Sequence, residues 1–100
     1  MGHEVRITQK GRPSDYVNSI RREIRKKSGS QSIEFCLSGL EGAMLVVCDT
    51  AQLLVQSDIA TIQQIETGRT LVQSRYDYST VSKKLLRIVM ITRRVDVSSA

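Results

Sequence analysis

Residues 37–55 read LSGLEGAMLVVCDTAQLLV, and no other part of the chain is apolar over such a length. At about 100° per residue, a helix through this stretch gathers Glu41, Asp49 and Gln52 in one narrow polar stripe. Most of the remaining circumference is apolar and needs cover on more than one side. One small sheet covers a single face, so the pattern indicates a second helix and, beyond it, a second subunit. An ordinary core helix of a monomer explains the same pattern equally well.

Four strands and one further helix are predicted around this stretch. Alternation of apolar and polar residues predicts strands over 4–8 and 32–37, and two later strands over 59–72 and 84–95. Helical spacing predicts a helix over 16–27, which follows a loop containing Pro13. The pattern of the third strand is irregular around Gly68, where we expect a β-bulge.

The last two predicted strands are joined by the polar segment 73–82. Strands of this length, at about 3.3 Å per residue, extend well beyond the body of so small a domain, so we expect a long hairpin arm. The predicted fold is α+β, a two-layer sandwich in the order βαβαββ. Two helices lie on one face of a four-stranded mixed sheet and are joined to it by right-handed crossovers. Residues 1–100 make a single domain.

The charge balance favours an anionic partner. Fifteen Lys and Arg against ten Asp and Glu give a formal net charge of +5, which suits nucleic acid or an anionic membrane surface. No apolar run reaches the length of about 20 residues that a membrane span requires. The N-terminus lacks the apolar core of a signal peptide, so we expect a soluble protein of the nucleus, the cytoplasm or both, with no membrane partner.

The cysteines and the histidine do not indicate a metal site or a catalytic site. Cys36 and Cys48 fall in a predicted strand and in the long helix, where we expect small buried thiols in a reducing compartment. Neither belongs to a Cys-x-x-Cys pair, and His3 is the only histidine. The ligands for a metal site are too few, and a serine nucleophile lacks a histidine base, so we expect no cofactor, no metal and no enzymatic activity.

The helix over 16–27 has an apolar side and a cationic side. Tyr16, Val17, Ile20 and Ile24 share one arc, and the opposite arc is basic. The cations of that arc are Arg21, Arg22, Arg25 and Lys26. Phosphate binding and a solvated face near the negative end of the helix dipole explain this arc equally well.

Three stretches of the sequence resemble the Alba family of small basic dimeric proteins that bind DNA and RNA, in its eukaryotic type. The first, 5–17 (VRITQKGRPSDYV), is similar to the family's first strand, Lys-Lys-Pro loop and Asn-Tyr-Val helix start. The second comprises 37–44 and 49–54 around the long helix, and the third is the basic terminal strand 87–94 (RIVMITRR). Two positions depart from the family: Gly11 replaces the first loop lysine, and Glu41-Gly42 replaces a Gly-Arg pair.

The resemblance implies an Alba fold and a dimer formed largely through the second helix, either with a second copy or with a related chain. It also implies a nucleic-acid surface made by the loop before Pro13 and by paired hairpin arms. At the dimer interface we expect Val46, Val47, Leu53 and Leu54. At the nucleic-acid surface we expect Lys10, Arg12, Arg69, Arg75, Tyr76, Tyr78, Lys83 and Lys84, with Arg21, Arg22 and Arg25 extending the positive field.

Two functions follow from this interpretation. The first is a non-enzymatic dimer that contacts phosphates of DNA and RNA with little sequence preference, in chromatin organisation or in RNA and translation regulation. The second is a structural subunit of a ribonucleoprotein, such as a ribonuclease P-type particle, which acts through an Alba-type heterodimer. In that case the arm and the apolar helix face serve to recruit a protein partner.

Overall fold

The structure is a computed structural model and describes residues 3–26, 32–74 and 76–92. Its elements follow in the order β1 (His3–Arg6), α1 (Pro13–Lys26), β2 (Glu34–Leu40), α2 (Met44–Gln56), β3 (Ala60–Gln73) and β4 (Thr80–Thr92). A 3-10 turn, Glu41–Ala43, joins β2 to α2. The predicted βαβαββ order and the α+β class are confirmed.

The sheet is mixed, as predicted, with the strand order β1-β2-β4-β3. β1 runs parallel to β2, whereas β4 is antiparallel to both β2 and β3. The parallel pair requires a crossover, which α1 supplies. β1 and β3 form the two edges of the sheet.

The core lies between one face of the sheet and the two helices. In β4 the buried residues alternate strictly, with Leu86, Ile88 and Met90 facing inward. From the helices, Val17, Ile20, Val47 and Leu54 pack into the same cluster with Phe35 and Leu37 of β2. At about 25 cal/mol per Å² of apolar surface removed from water, this cluster is the main source of stability.

The two-stranded part of the hairpin extends past the rest of the sheet. β2 pairs with β4 only from Glu34↔Ile91 to Leu40↔Leu85, whereas β3 and β4 stay paired from Arg69↔Lys84 to Gln73↔Thr80. We call residues 69–84 the arm. The molecule measures 58 × 23 × 21 Å, so the predicted long arm is confirmed.

Several boundaries differ from the prediction. β4 begins at Thr80 and α1 begins at Pro13, four and three residues earlier than expected. The start of β4 was missed because residues 80–84 are all exposed and form a polar ribbon, which lacks the alternation of a half-buried strand. The predicted bulge at Gly68 is wrong, since the register shifts between Ile62 and Gln64 instead.

One cysteine prediction is also wrong. Cys36 is buried, but Cys48 is exposed on α2. The predicted end of the first helix at residue 27 and the last residues of the predicted fourth strand, 93–95, lie outside the described residues. Arg75 lies outside them as well.

Candidate nucleic-acid interface

The basic loop, residues 8–12, presents two cations beside the start of α1. Lys10 and Arg12 are exposed. The amide of Gly11 donates to the Thr8 carbonyl at 3.1 Å, which closes a turn. The amides of Asp15 and Tyr16 then donate to the Arg12 carbonyl at 3.0 and 3.3 Å. Arg12 therefore immediately precedes the helix, where free amides and the positive end of the dipole favour anions.

Tyr16 holds the basic loop in place. Its hydroxyl oxygen accepts a hydrogen bond from the Thr8 amide at 3.0 Å and lies 3.3 Å from the Thr8 hydroxyl. Its ring lies so close to Gly11 that a Cβ at that position would overlap it. This contact accounts for a glycine at position 11. The helical pattern placed Tyr16 only on the apolar side of α1. Its hydroxyl was the sequence signal for the contact with the loop, because a tyrosine hydroxyl on an apolar face usually finds a hydrogen-bond partner.

The loop packs against the turn that precedes α2. A Cβ on Gly42 would lie 2.6 Å from Oε1 of Gln9, so the glycine allows the loop side chain to approach the backbone. In the same turn, Oε1 of Glu41 accepts a hydrogen bond from the Lys84 amide at 2.8 Å. The turn Glu41–Ala43 thus contacts both the basic loop and the root of the arm, which is the end of the arm at Arg69 and Lys84. The cations of the loop and of the root therefore lie at the same end of the domain.

The arm carries cations on both of its faces. Arg69 and Lys84 are directly opposite each other in the β3–β4 register, and Lys83 is opposite Thr70. Because successive side chains alternate between faces, Arg69 and Lys84 share one face and Lys83 lies on the other. All three cations are exposed. Arg69 and Lys84 also line a cavity of about 350 Å³ together with Met44 and Leu85.

A hydrogen-bonded turn closes the tip of the arm. The amide of Ser74 donates to the Ser79 carbonyl at 2.7 Å. Oδ1 of Asp77 accepts hydrogen bonds from the Ser79 hydroxyl at 2.7 Å and from the Ser79 amide at 3.1 Å. These bonds, first of all that from the Ser79 hydroxyl, lower the pKa of Asp77 below its ordinary value. The turn projects Tyr76 and Tyr78 into solvent, 96% and 78% exposed.

The cations of α1 lie away from the loop and the arm. Arg21, Arg22 and Arg25 are exposed, in agreement with the predicted basic arc. At a rise of about 1.5 Å per residue they stand roughly 12–18 Å along the helix from Pro13. Lys26 forms an exposed ion pair with Glu23 at 3.7 Å, which contributes little to stability. The fold therefore does not place these arginines with the other predicted contact residues.

Arg87, the first cation of the terminal strand, is engaged within the sheet. Its Nη2 lies 3.6 Å from Oε1 of Glu4 across the helix-free face. A hydrogen bond to the Cys36 sulfur raises the pKa of Arg87, and the charges of Glu4 and Glu66 act in the same direction. Arg93 and Arg94 of the same basic stretch lie outside the described residues.

Two of the four predicted interface residues face inward. Val47 and Leu54 have no exposed surface, because they fill the core beneath α2. Their assignment to an interface between subunits is therefore a mistake of the helical pattern, which does not distinguish the side facing the core from a side facing a partner. Val46 and Leu53 are half-buried, and Leu53 borders a cavity beside Pro13 of α1.

The described residues form neither a metal-binding cluster nor a membrane-spanning helix. Within ranges 3–26, 32–74 and 76–92, no three His, Cys, Asp or Glu side chains gather where they would hold a metal ion. In the same ranges, no helix combines the length and apolarity needed to cross a membrane.

Comparison with solved structures identifies the fold. The chain superposes on Alba from Thermoplasma volcanium with a TM-score of 0.65 and 12% sequence identity, over 89% of this chain and 100% of that one. It superposes on ALBA1 from Trypanosoma brucei with a TM-score of 0.63 and 18% identity, over 99% of this chain and 76% of that one. No protein-family model and no curated protein matches the sequence. The chain therefore has the Alba fold, as the resemblance predicted.

Proposed function

We propose that this chain, which has the Alba fold, is a non-enzymatic protein of the Alba type that binds DNA and RNA as a dimer. The basic loop and the arm contact phosphates, so sequence preference is low. Such a protein acts in chromatin organisation or in the regulation of RNA and translation, in the nucleus or the cytoplasm.

The observation that carries the proposal is the like-charged pair at the root of the arm. Arg69 and Lys84 are directly opposite each other, an arrangement that destabilises an isolated hairpin. None of the ion pairs among the described residues involves either cation. A phosphate group between them would relieve their repulsion, and the loop that carries Lys10 and Arg12 abuts the adjacent turn through Gln9 and Gly42.

Charge reversal tests this surface. We expect reversal of Lys10, Arg12, Lys83 and Lys84 to Glu to weaken binding to labelled duplexes of several unrelated sequences by the same large factor. The matched control reverses the four cations of α1, Arg21, Arg22, Arg25 and Lys26, and so changes the net charge equally. A clearly smaller loss in the control supports the interface. Equal losses in both variants, or unchanged binding in the first, contradict it.

The dimer is supported by a partly exposed apolar patch that α2 and the edge strand β3 form together. On the helical wheel of α2, Met44, Cys48 and Val55 share the side that faces away from α1. Met44 also borders the β3 residues Thr67 and Gly68, which places this side over the edge strand. Further along β3, Ile62 and Ile65 are 43% and 59% exposed although they point to the same face of the sheet as the core residues. A patch of this kind marks an interaction surface.

Oligomeric state tests the dimer. We expect light scattering to give twice the chain mass for the natural protein and a single chain mass for Ile65→Glu. Leu71→Glu is the control, because Leu71 is equally apolar and 72% exposed but lies on the arm. The ribonucleoprotein subunit would be favoured if the natural protein has a single chain mass when it is by itself and if an unlike Alba-type chain copurifies with it. A lone monomer without any partner would contradict both assemblies.

A further inference from the structure

The far half of the arm contains a cavity in which only one lining residue, Lys83, belongs to the phosphate contacts proposed above. Its volume is about 330 Å³, within the range of small-ligand sites. It is lined by Val72, Gln73, Ser74, Tyr76, Val81 and Lys83. Val72 and Val81 are directly opposite each other in the register, so they form a continuous apolar floor.

The lining residues contribute little to the core of the protein. Val81 is three residues, about 10 Å, further along the strand than Lys84, whose amide bonds to Glu41 of the body. It is 44% exposed, and the ring of Tyr76 is almost fully exposed. The cross-strand pair of Val72 and Val81 stabilises the ribbon. It also leaves, beside an exposed tyrosine ring, an apolar surface on which a ligand can pack.

The geometry of the tip keeps Tyr76 at the cavity. The Tyr76 amide donates to the Ser74 hydroxyl at 3.2 Å, and the Ser74 amide donates to the Ser79 carbonyl at 2.7 Å. A turn that is formed before the ligand arrives loses less backbone entropy on binding. Lys83 adds a cation on the same face of the arm as the two valines.

We propose that this cavity binds one unpaired nucleobase together with its phosphate. The base packs on Val72 and Val81 and stacks against Tyr76, and Lys83 pairs with the phosphate. Bases within a duplex are already stacked on their neighbours and do not offer a free face, so the cavity favours single-stranded DNA or RNA. The positive charge of Lys83 favours a nucleotide over an apolar peptide side chain as the occupant.

This inference rests on the proposed function and deepens it, because it adds a preference among nucleic acids to general phosphate binding. The cations of the loop and the arm, Lys83 included, suffice for duplex binding, whereas stacking of a base on Tyr76 and the two valines is a contact that only an unpaired strand makes. The two can therefore fail separately.

Fluorescence anisotropy with two probes tests the inference: a labelled oligothymidylate, which does not pair with itself, and a labelled duplex of equal length. We expect Tyr76→Ala to weaken oligothymidylate binding about tenfold, as for the loss of one stacked base. Duplex binding should remain unchanged. Tyr76→Phe, which keeps the ring, should retain both affinities. Leu71→Ala, which removes an exposed apolar side chain from the opposite face of the arm, should leave both affinities unchanged.

A second readout is chemical. Ultraviolet irradiation of the complex with oligothymidylate should give a crosslink at Tyr76 or Val81, located by mass spectrometry. Equal losses on both probes, no loss on either, or crosslinks confined to the basic loop would overturn the inference while leaving phosphate binding intact. Failure of the natural protein to bind either probe would overturn the proposed function itself.

Discussion

The basic loop and the arm both present exposed cations, but the protein holds them in different ways. Tertiary contacts fix the loop, since Tyr16 bonds to Thr8 and covers Gly11, and Gln9 lies against Gly42. Strand pairing holds most of the arm, and at its root the Glu41 side chain accepts a hydrogen bond from the Lys84 amide.

This difference has consequences for how each region meets a ligand. The loop packs against α1 and against the turn before α2, so its backbone is held in place. A side chain in place of either glycine at these contacts would overlap a neighbouring side chain. The arm is a two-stranded ribbon with solvent on both faces, and such ribbons are marginally stable and strongly twisted. We therefore expect the loop to set the position of the nucleic acid and the arm to adapt to it.

The largest contrast is expected from the same substitution made in the loop and at Gly68, the β3 residue immediately before the arm. In Gly11→Ala the new methyl group overlaps the Tyr16 ring, so we expect a loss of about 1–3 kcal/mol in the free energy of unfolding. In Gly68→Ala nothing lies within 4 Å of the new Cβ, so we expect a change within about 0.5 kcal/mol. Denaturant unfolding measures both values. Equal effects would remove the distinction between a packed loop and a free ribbon.

The root of the arm should respond to the loss of the hydrogen bond that the Glu41 side chain accepts there. Glu41→Ala removes the acceptor for the Lys84 amide, so we expect faster hydrogen exchange at that amide, equivalent to about 1 kcal/mol. Glu41→Gln removes the same charge but keeps an oxygen acceptor, and about half of the protection should remain. If the two variants exchange equally fast, the hydrogen bond does not anchor the arm.

The hydroxyl of Tyr16 offers a smaller test of the loop. Tyr16→Phe keeps the ring over Gly11 but leaves the Thr8 amide without its acceptor. Because that amide is exposed and water replaces the hydroxyl, we expect a loss of about 0.5 kcal/mol in the free energy of unfolding. A loss as large as that of Gly11→Ala would mean that the hydrogen bond, rather than the ring, holds the loop.

The smallest effect concerns pH at the tip of the arm. The pKa of Asp77 is lowered in the folded protein, so its bonds to Ser79 stabilise the turn above the ordinary carboxyl pKa. That stabilisation is lost as the pH falls through the lowered value, below about 4. We expect the amide resonance of Ser79 to shift in that range, and Asp77→Asn to abolish the shift. A shift centred at the ordinary carboxyl pKa would contradict the role of Ser79.

Periodicity revealed the parts of the fold in which one face is buried. Leu86, Ile88 and Met90 alternate with half-exposed residues, and their strand was predicted. The same rule missed the start of β4 because both faces of the arm meet water. It also assigned Val47 and Leu54 to a dimer interface, since an apolar arc does not reveal which part of it faces the chain's own core.

The contacts that organise the candidate site are not periodic. Glu41 and Lys84 are 43 positions apart, and Tyr16 and Thr8 are 8 apart. Neither separation follows the spacing of a helix or a strand. The loop cations Lys10 and Arg12 were predictable from the resemblance, but the turn that joins them to the arm emerged only from the folded chain.

The central claim is that loop and arm cations bind phosphates, and the salt dependence of duplex affinity tests it most directly. Each phosphate contact contributes a slope of about −0.9 to the logarithm of affinity against the logarithm of salt concentration. We expect Lys83→Gln with Lys84→Gln to reduce the slope by about two such contacts, and Lys10→Gln with Arg12→Gln to do the same. An affinity for duplex that does not vary with salt, or slopes unchanged in both variants, would contradict the account.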